Sequence, residues 1–464
     1  MNTYLQRMLL SLGLTIVLLA IGGWYFPEIP SSSMQSDFFW SNKVQPNRQF
    51  DVVFIGDSRI YRGISPTIIT RELSEIDSFT VFNYGFSSAG LDTVFLDAGA
   101  ALLNSNSKKQ RILVLGVTAS SLADENLANQ HHWQEKNRHP AEIWQRKYMN
   151  SYLSFFDPSS PLVLRNTYRG EKSGYYQKYQ KNGWIASDKL PRDDWAGYWH
   201  IQNTYPTVKF SRSVRENLIK KVAEWEAEGI QVFGFRPPAA AHFEAIETKY
   251  YPEEALTTQF EAVGGTWIEI PNRTTYITYD GNHLEEESAK KLSEVVGKAI
   301  KNSLDRKKRP VLLRTALDFE TNSPQHWELF QPQFLTKEEA FQGKKAYIVK
   351  PQSYSCTYIS SLDSFLNQNL YIRTSCWMKT KNKEQRANAV LVFSIQDANE
   401  VLLWKGTNLM TQSLNPSKWN QLSVAANYVN NSAGCILKAY VWNKGDTTVV
   451  IDELQVEVVQ DSKK

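Results

Sequence analysis

Hydrophobic patterning changes its period once along this 464-residue chain, and that change limits the architectures open to it. Before Lys307-Lys308-Arg309-Pro310, short wholly apolar runs alternate with amphipathic stretches, the pattern of strands and helices wound into a parallel sheet. Beyond it come short alternating strands such as Ala346-Tyr-Ile-Val349, Ala389-Val-Leu-Val-Phe-Ser-Ile395 and Leu437-Lys-Ala-Tyr-Val-Trp-Asn443, separated by turn residues. That spacing is expected of a β-sandwich. A chain of this length can bury two or three separate cores. The expected fold is an α/β, doubly wound parallel sheet over 51–305, followed by an all-β sandwich over 306–464.

Within the first part, Asp51-Val-Val-Phe-Ile-Gly56-Asp57-Ser58-Arg59 reads as a buried strand, a tight exit at glycine and the start of a helix. Ser58 then sits at the carboxyl end of a strand, where open α/β sheets bind ligands, and at a helix start whose free N–H groups favour an oxyanion. Helix capping by Asp57 or Ser58 is the bland reading. More than two hundred residues later, Tyr279-Asp280-Gly281-Asn282-His283 puts a carboxylate three residues before an imidazole, in a turn entering a helix. A carboxylate there can orient the ring so that its other nitrogen takes a proton from serine. Alone, either segment is a turn; together they predict a Ser58, His283, Asp280 relay.

These blocks resemble the SGNH (GDSL-like) hydrolase superfamily over about 51–304, with Arg59 where the family's name-giving leucine stands. The resemblance implies a flavodoxin-like sheet and a Ser-His-Asp acyl-enzyme mechanism. Val81-Phe82-Asn83-Tyr84-Gly85-Phe86-Ser87-Ser88 has the form of the second block, which puts Ser88 at the family's oxyanion glycine. Ile112-Leu-Val-Leu-Gly116-Val-Thr118 resembles the third, with Thr118 in place of asparagine. Ser88 through its N–H, and Thr118 through its hydroxyl, are the implied oxyanion donors. Arg59 could hold an acidic sugar or pair with a nearby carboxylate. The variant blocks are similar to those of the polysaccharide O-acetyltransferase and esterase branch.

Residues 8–26 carry no charge and are long enough, as a helix, to cross a bilayer. They predict an uncleaved membrane anchor over 1–26, with Arg7 on the cytoplasmic side; a cleaved signal peptide is the alternative. Residues 27–50 read as a tether. This arrangement predicts a single-pass inner-membrane anchor with globular domains in the periplasm or outside the cell. Residues 122–205 lack periodicity and read as an insertion over the site mouth, carrying Trp144, Tyr148, Trp184, Trp195, Tyr198 and Trp199. A self-packed aromatic subdomain fits them equally. The strand Gln231-Val-Phe-Gly-Phe235 ends in Arg236, a further edge for site residues.

Cys356, Cys376 and Cys435 allow one disulfide and a spare thiol, or three buried thiols. With 52 Lys and Arg against 48 Asp and Glu, the net charge of +4 implies no nucleic-acid partner. The strand order of the last part resembles carbohydrate-binding-module jelly rolls, and that resemblance implies a structural Ca²⁺ flanked by Glu320 and Asp452; two surface acids at strand ends are the alternative. Catalysis needs no cofactor. Fourteen Trp and twenty-two Tyr supply flat apolar faces suited to sugars. The combined expectation is an exported serine esterase or O-acyltransferase, adding or removing acyl groups (acetyl, by the resemblance) on a glycan. Its partners would be the glycan or acylated sugar, the membrane and polysaccharide-assembly proteins. The alternative is a non-catalytic glycan-binding or scaffold protein of the cell envelope with a degenerate SGNH domain.

Overall fold

The computed structural model describes residues 3–25, 33–123, 129–150, 165, 168–170, 174–206, 211–251, 253–308, 310–320, 327–337, 339–381, 388–409 and 418–461. The chain divides into two compact units, one of residues 1–221, 228–251 and 268–299, the other of 222–227, 252–267 and 300–464.

In chain order the first unit carries β1 (Val52–Gly56), β2 (Val81–Gly85), β3 (Ile112–Gly116), an antiparallel hairpin of β4 (Gly174–Tyr179) and β5 (Ile185–Leu190), and β6 (Gln231–Phe235). β1, β2, β3 and β6 pair in parallel in the order β2-β1-β3-β6. Every residue of these four strands is buried, which explains their continuous apolar runs: a parallel sheet is covered on both faces. The chain leaves β1 for β2 on one side and returns to β3 on the other. The order therefore reverses at the carboxyl end of β1, where a ligand crevice opens in such sheets. Ser58 follows that strand end.

The helices between the first strands are short, Pro66–Leu73 and Thr93–Ala100, and the Asp92 carboxylate caps the second through the Phe95 N–H at 2.8 Å. β7 (Thr266–Trp267) is only two residues long. The described residues of the stretch 122–205 are more regular than its composition suggests. They include helices Gln130–Lys136, Pro140–Trp144 and Tyr198–Thr204 besides the β4–β5 hairpin. Trp184 is buried there, its indole N–H donating to the Arg62 carbonyl at 2.8 Å, so it is core; Trp144, Tyr148, Trp195 and Trp199 are exposed.

Two expectations for the N-terminus change. Residues 3–25 do form one helix, Thr3–Tyr25, but no helix among the described residues is long and apolar enough to cross a membrane. The physical reason is that uncharged is not the same as apolar: Ser11, Gly13, Thr15 and Gly22-Gly23 dilute the aliphatic residues. The expected anchor and the localisation built on it are withdrawn. Inside the expected tether, Ser33–Val44 is a helix with Phe39, Trp40 and Val44 buried. Its buried Lys43 ammonium donates to the Gly183 carbonyl at 2.7 Å and lies over the rings of Phe39, Trp40, Tyr61 and Phe86.

The last part of the chain is a β-sandwich, built from β8 (Val311–Leu317), β9 (Trp327–Glu328), β10 (Leu335–Thr336), β11 (Ala346–Val349), β12 (Ser353–Tyr354), β13 (Thr357–Ser361), β14 (Gln368–Thr380), β15 (Ala389–Gln396), β16 (Val401–Asn408), β17 (Asn420–Asn430), β18 (Ile436–Asn443) and β19 (Val449–Gln460). One antiparallel sheet runs β10-β11-β19-β14-β17, with β8 also on β19; the other runs β16-β15-β18-β13-β9, with β12 also on β18. Alternate residues of each strand point inward, so Leu370, Ile372, Cys376 and Met378 of β14 meet Leu437, Ala439 and Val441 of β18 in one core. All three cysteines are free and buried, and burial pushes the Cys356 thiol up to about 12. Removing a fully buried aromatic leaves a cavity as well as losing its transfer energy. Phe393→Ala in β15 is expected to cost about 3–5 kcal/mol in urea unfolding of the sandwich.

Candidate active site

Three side chains distant in sequence converge at the end of β1. Gly56 closes the strand where a Cβ would stand 2.4 Å from Ile60 Cγ1, so only glycine lets the helix Ser58–Gly63 turn back this tightly. Asp57 caps that helix: one carboxylate oxygen accepts the Arg59 N–H at 2.9 Å and the other the Thr118 hydroxyl at 2.5 Å. The helix starts at Ser58, as the sequence predicts.

The partner loop is held as tightly. Asp280 Oδ1 accepts the N–H groups of Asn282 (3.0 Å) and His283 (2.8 Å), and the Tyr279 N–H returns to the His283 carbonyl at 3.0 Å. Gly281 has φ +82°, and a Cβ on it would stand 2.1 Å from the Asp194 carbonyl oxygen. Both features require glycine. From this turn His283 Nδ1 faces Asp280 Oδ2 at 2.8 Å and His283 Nε2 faces Ser58 Oγ at 2.8 Å. With the carboxylate ionised, Nδ1–H donates to it, and Nε2 is left to accept the serine proton.

Electrostatics keep both groups in the forms this relay needs. Burial holds the His283 imidazole below its ordinary 6.5, helped by the Arg62 and Arg59 guanidinium groups and opposed by Asp280. Burial alone would raise Asp280; the His283 ring and the N–H groups of His283 and Asn282 outweigh it and hold the carboxyl below 3.8. Tyr279 stacks on the His283 ring with centroids 5.8 Å apart, and its hydroxyl accepts from Arg62 at 2.6 Å.

Arg59 is buried and does not face solvent. It makes a bidentate pair with Glu247 (3.0 and 2.6 Å), and its Nε donates to Asn282 Oδ1 at 2.6 Å. Of the two roles open to it in the sequence, it takes the ion pair. The bond to Asn282 ties the residue after the serine to the residue before the histidine. Glu247 also accepts from the Tyr205 hydroxyl (3.0 Å) and from Arg236 (3.2 Å), while Arg236 reaches Glu244 at 2.9 Å. Burial would raise Glu247, but the Arg59 and Arg236 charges outweigh it and hold the carboxyl low. Arg236 lies at the strand edge that the sequence marks, whereas Glu247 and Tyr205 carry no local sign of their role, since a glutamate on a helix reads as surface.

The expected oxyanion donors separate. Neither the Ser58 nor the Ser88 N–H has a hydrogen-bond partner among the described residues. Ser88 has φ +51°, the left-handed conformation that favours glycine. Thr118 is different: its hydroxyl hydrogen is committed to Asp57, and its oxygen accepts the Ser121 N–H at 3.2 Å. It orients the cap and has no hydrogen left for an oxyanion.

In the sandwich, Glu320 accepts the N–H groups of Lys344 (2.5 Å) and Lys345 (2.8 Å), which hold its carboxyl low. Asp452 accepts those of Phe341 (2.9 Å), Gln342 (3.1 Å) and Glu453 (2.8 Å). A Ca²⁺ centre needs six to eight oxygen donors, and three of the four carboxylate oxygens here already accept backbone N–H groups. No group of three metal-ligating side chains occurs among the described residues. Engaged in this way, each carboxylate pins a loop.

Two outcomes are expected of this geometry. In an NMR titration His283 protonates below pH 6.5, and Asp280→Asn lowers that midpoint further, because the carboxylate favours the imidazolium. A midpoint that rises in Asp280→Asn contradicts the assigned pairing. Glu247→Gln leaves Arg59 without its carboxylate in a buried cluster. It is expected to lose about 3–5 kcal/mol in urea unfolding.

No protein-family model matches the chain. No curated protein matches it. Among solved structures it is similar to the CBM22-1 xylan-binding domain of Paenibacillus barcinonensis Xyn10C, at 17% identity over 33% of this chain and 97% of that one, with a TM-score of 0.24. It is similar to the C-terminal family 22 carbohydrate-binding module of Clostridium thermocellum Xyn10B, at 15% identity over 33% and 96%, TM-score 0.24. The CBM35 of Cellvibrio japonicus Abf62 stands at 8% identity over 33% and 100%, TM-score 0.22. The likeness is to carbohydrate-binding modules and extends over a third of the chain.

Proposed function

We propose that the first unit is a serine esterase or O-acyltransferase working through an acyl-enzyme. The observation that carries this reading is the unbroken relay from Asp280 through His283 to Ser58, with both contacts at 2.8 Å. Ser58 Oγ attacks the acyl carbonyl while its proton passes to His283 Nε2, and Asp280 stabilises the imidazolium so formed. The N–H groups of Ser58 and Ser88 are the candidate donors to the tetrahedral oxyanion. Collapse returns the proton to the departing alkoxide and leaves the acyl group on Ser58. Water or a sugar hydroxyl, deprotonated by His283, then takes the acyl group. The resemblance to SGNH hydrolases supports the same roles, and the left-handed backbone at Ser88, where that family has glycine, agrees with it.

A second reading, glycan binding by the sandwich, is favoured by one face of its second sheet. Tyr354 stacks on Trp442 (5.6 Å, 22°) and meets Tyr440 edge-on, and the strand register puts Trp404 on the same face. Tyr354 and Trp404 are 53% and 46% exposed, an unusual surplus of aromatic surface unless something stacks on it. The two readings are compatible, and joined they describe acyl transfer on a glycan that the sandwich holds.

The parent chain is expected to hydrolyse para-nitrophenyl acetate, and Ser58→Ala to lower kcat/KM by on the order of 10⁴-fold. An equal rate in Ser58→Ala sinks the catalytic reading. Retention on immobilised glycan by a chain without esterase activity would leave glycan binding standing alone.

A further inference from the structure

The geometry points to Trp195 as the floor of a subsite for a neutral pyranose ring next to the acyl-transfer centre, an inference that rests on the reading above. Trp195 is 59% exposed, and its indole stacks on the His242 imidazole with centroids 4.1 Å apart and planes 5° from parallel. One face is therefore backed by a ring, while the side chain as a whole stays largely exposed. Tyr198 meets both rings edge-on, at 4.8 and 5.3 Å, and Trp199, 72% exposed, extends the surface.

This platform is indexed to the catalytic turn. His242 Nε2–H donates to the Asp194 carbonyl at 2.7 Å, and Thr278 Oγ1 donates to the Asp194 carboxylate at 2.7 Å. The Asp193 N–H donates to the Tyr279 carbonyl at 3.1 Å, and the Ala240 N–H, ahead of the helix that carries His242, donates to the Gly281 carbonyl at 2.9 Å. Tyr279 and Gly281 flank Asp280. A rigid, ring-backed indole is preorganised for stacking on the C–H face of a sugar, with little entropy lost on contact. Charge selects the kind of sugar: Arg192 is ion-paired with Glu285 and Asp188, and Asp193 and Asp194 add negative charge to the rim. A neutral ring fits that rim; an acidic one does not.

The test uses the full chain. It compares kcat/KM for the best substrate among partly acetylated oligosaccharides of xylose, mannose, glucose and N-acetylglucosamine with kcat/KM for para-nitrophenyl acetate, which is too small to span both sites. Trp195→Ala is expected to lower that ratio about tenfold through KM, and Trp195→Phe, which keeps a ring, to retain most of it. An unchanged ratio in Trp195→Ala overturns the subsite alone, as does a parent that hydrolyses the aryl ester and none of the oligosaccharides. A parent that turns over neither class removes the acyl-transfer reading, and the subsite with it.

Discussion

The chemistry open to the first unit depends on one hydrogen bond between side chains 225 positions apart, from Ser58 Oγ to His283 Nε2. A contact of that span is lost with a shift of about 1 Å in either backbone, and proximity is worth little once alignment goes. Two devices hold it. Locally, each residue sits in a turn pinned by a carboxylate that accepts backbone N–H groups, Asp57 for the serine and Asp280 for the histidine. Across the gap, Arg59 bridges from the nucleophile's helix to Asn282, with Glu247 holding the guanidinium from behind. A buried ion pair contributes little net stability once desolvation is counted. Its value here is geometric, since a planar guanidinium with a bidentate partner and a third contact has no rotational freedom left.

The sheet supplies the frame for these devices. Four strands buried on both faces leave their loops as the edges where polar groups can gather, and the order reversal beside β1 concentrates them. Asp57 receives Thr118 from the end of β3, while Arg236, at the end of β6, meets Glu247 from the following helix. The nucleophile thus sits in a ring of interactions drawn from several strand ends. In the sandwich the same device recurs: Glu320 and Asp452 use their carboxylates to hold loops.

How much of this could be read from the chain depends on the range of each interaction. β1, the serine after it and the Asp280–His283 turn were legible because apolar runs, glycine and short polar spacings act locally. The sandwich was legible from its period of two. Glu247 and Tyr205 were illegible, because nothing within a few residues of either says that a buried arginine waits for them. Thr118 misled for a related reason: its place after β3 is as expected, but the hydroxyl direction is set by Asp57, sixty-one positions away. The N-terminal expectation failed on composition, where absence of charge stood in for apolarity. Residues 33–44 read as a tether because their mean character is mixed, yet Phe39, Trp40 and Val44 are enough to bury one side of a helix.

The most direct measurement of the central claim is the covalent intermediate itself. The protein would be mixed with an activated acetyl ester, quenched in acid and digested, and the peptide containing Ser58 weighed by mass spectrometry. The account predicts one added acetyl group on Ser58 within the burst phase, and none in samples quenched after the ester is exhausted while His283 is intact. An unmodified Ser58 peptide accompanied by ester turnover, or acetyl found on another side chain, would contradict it.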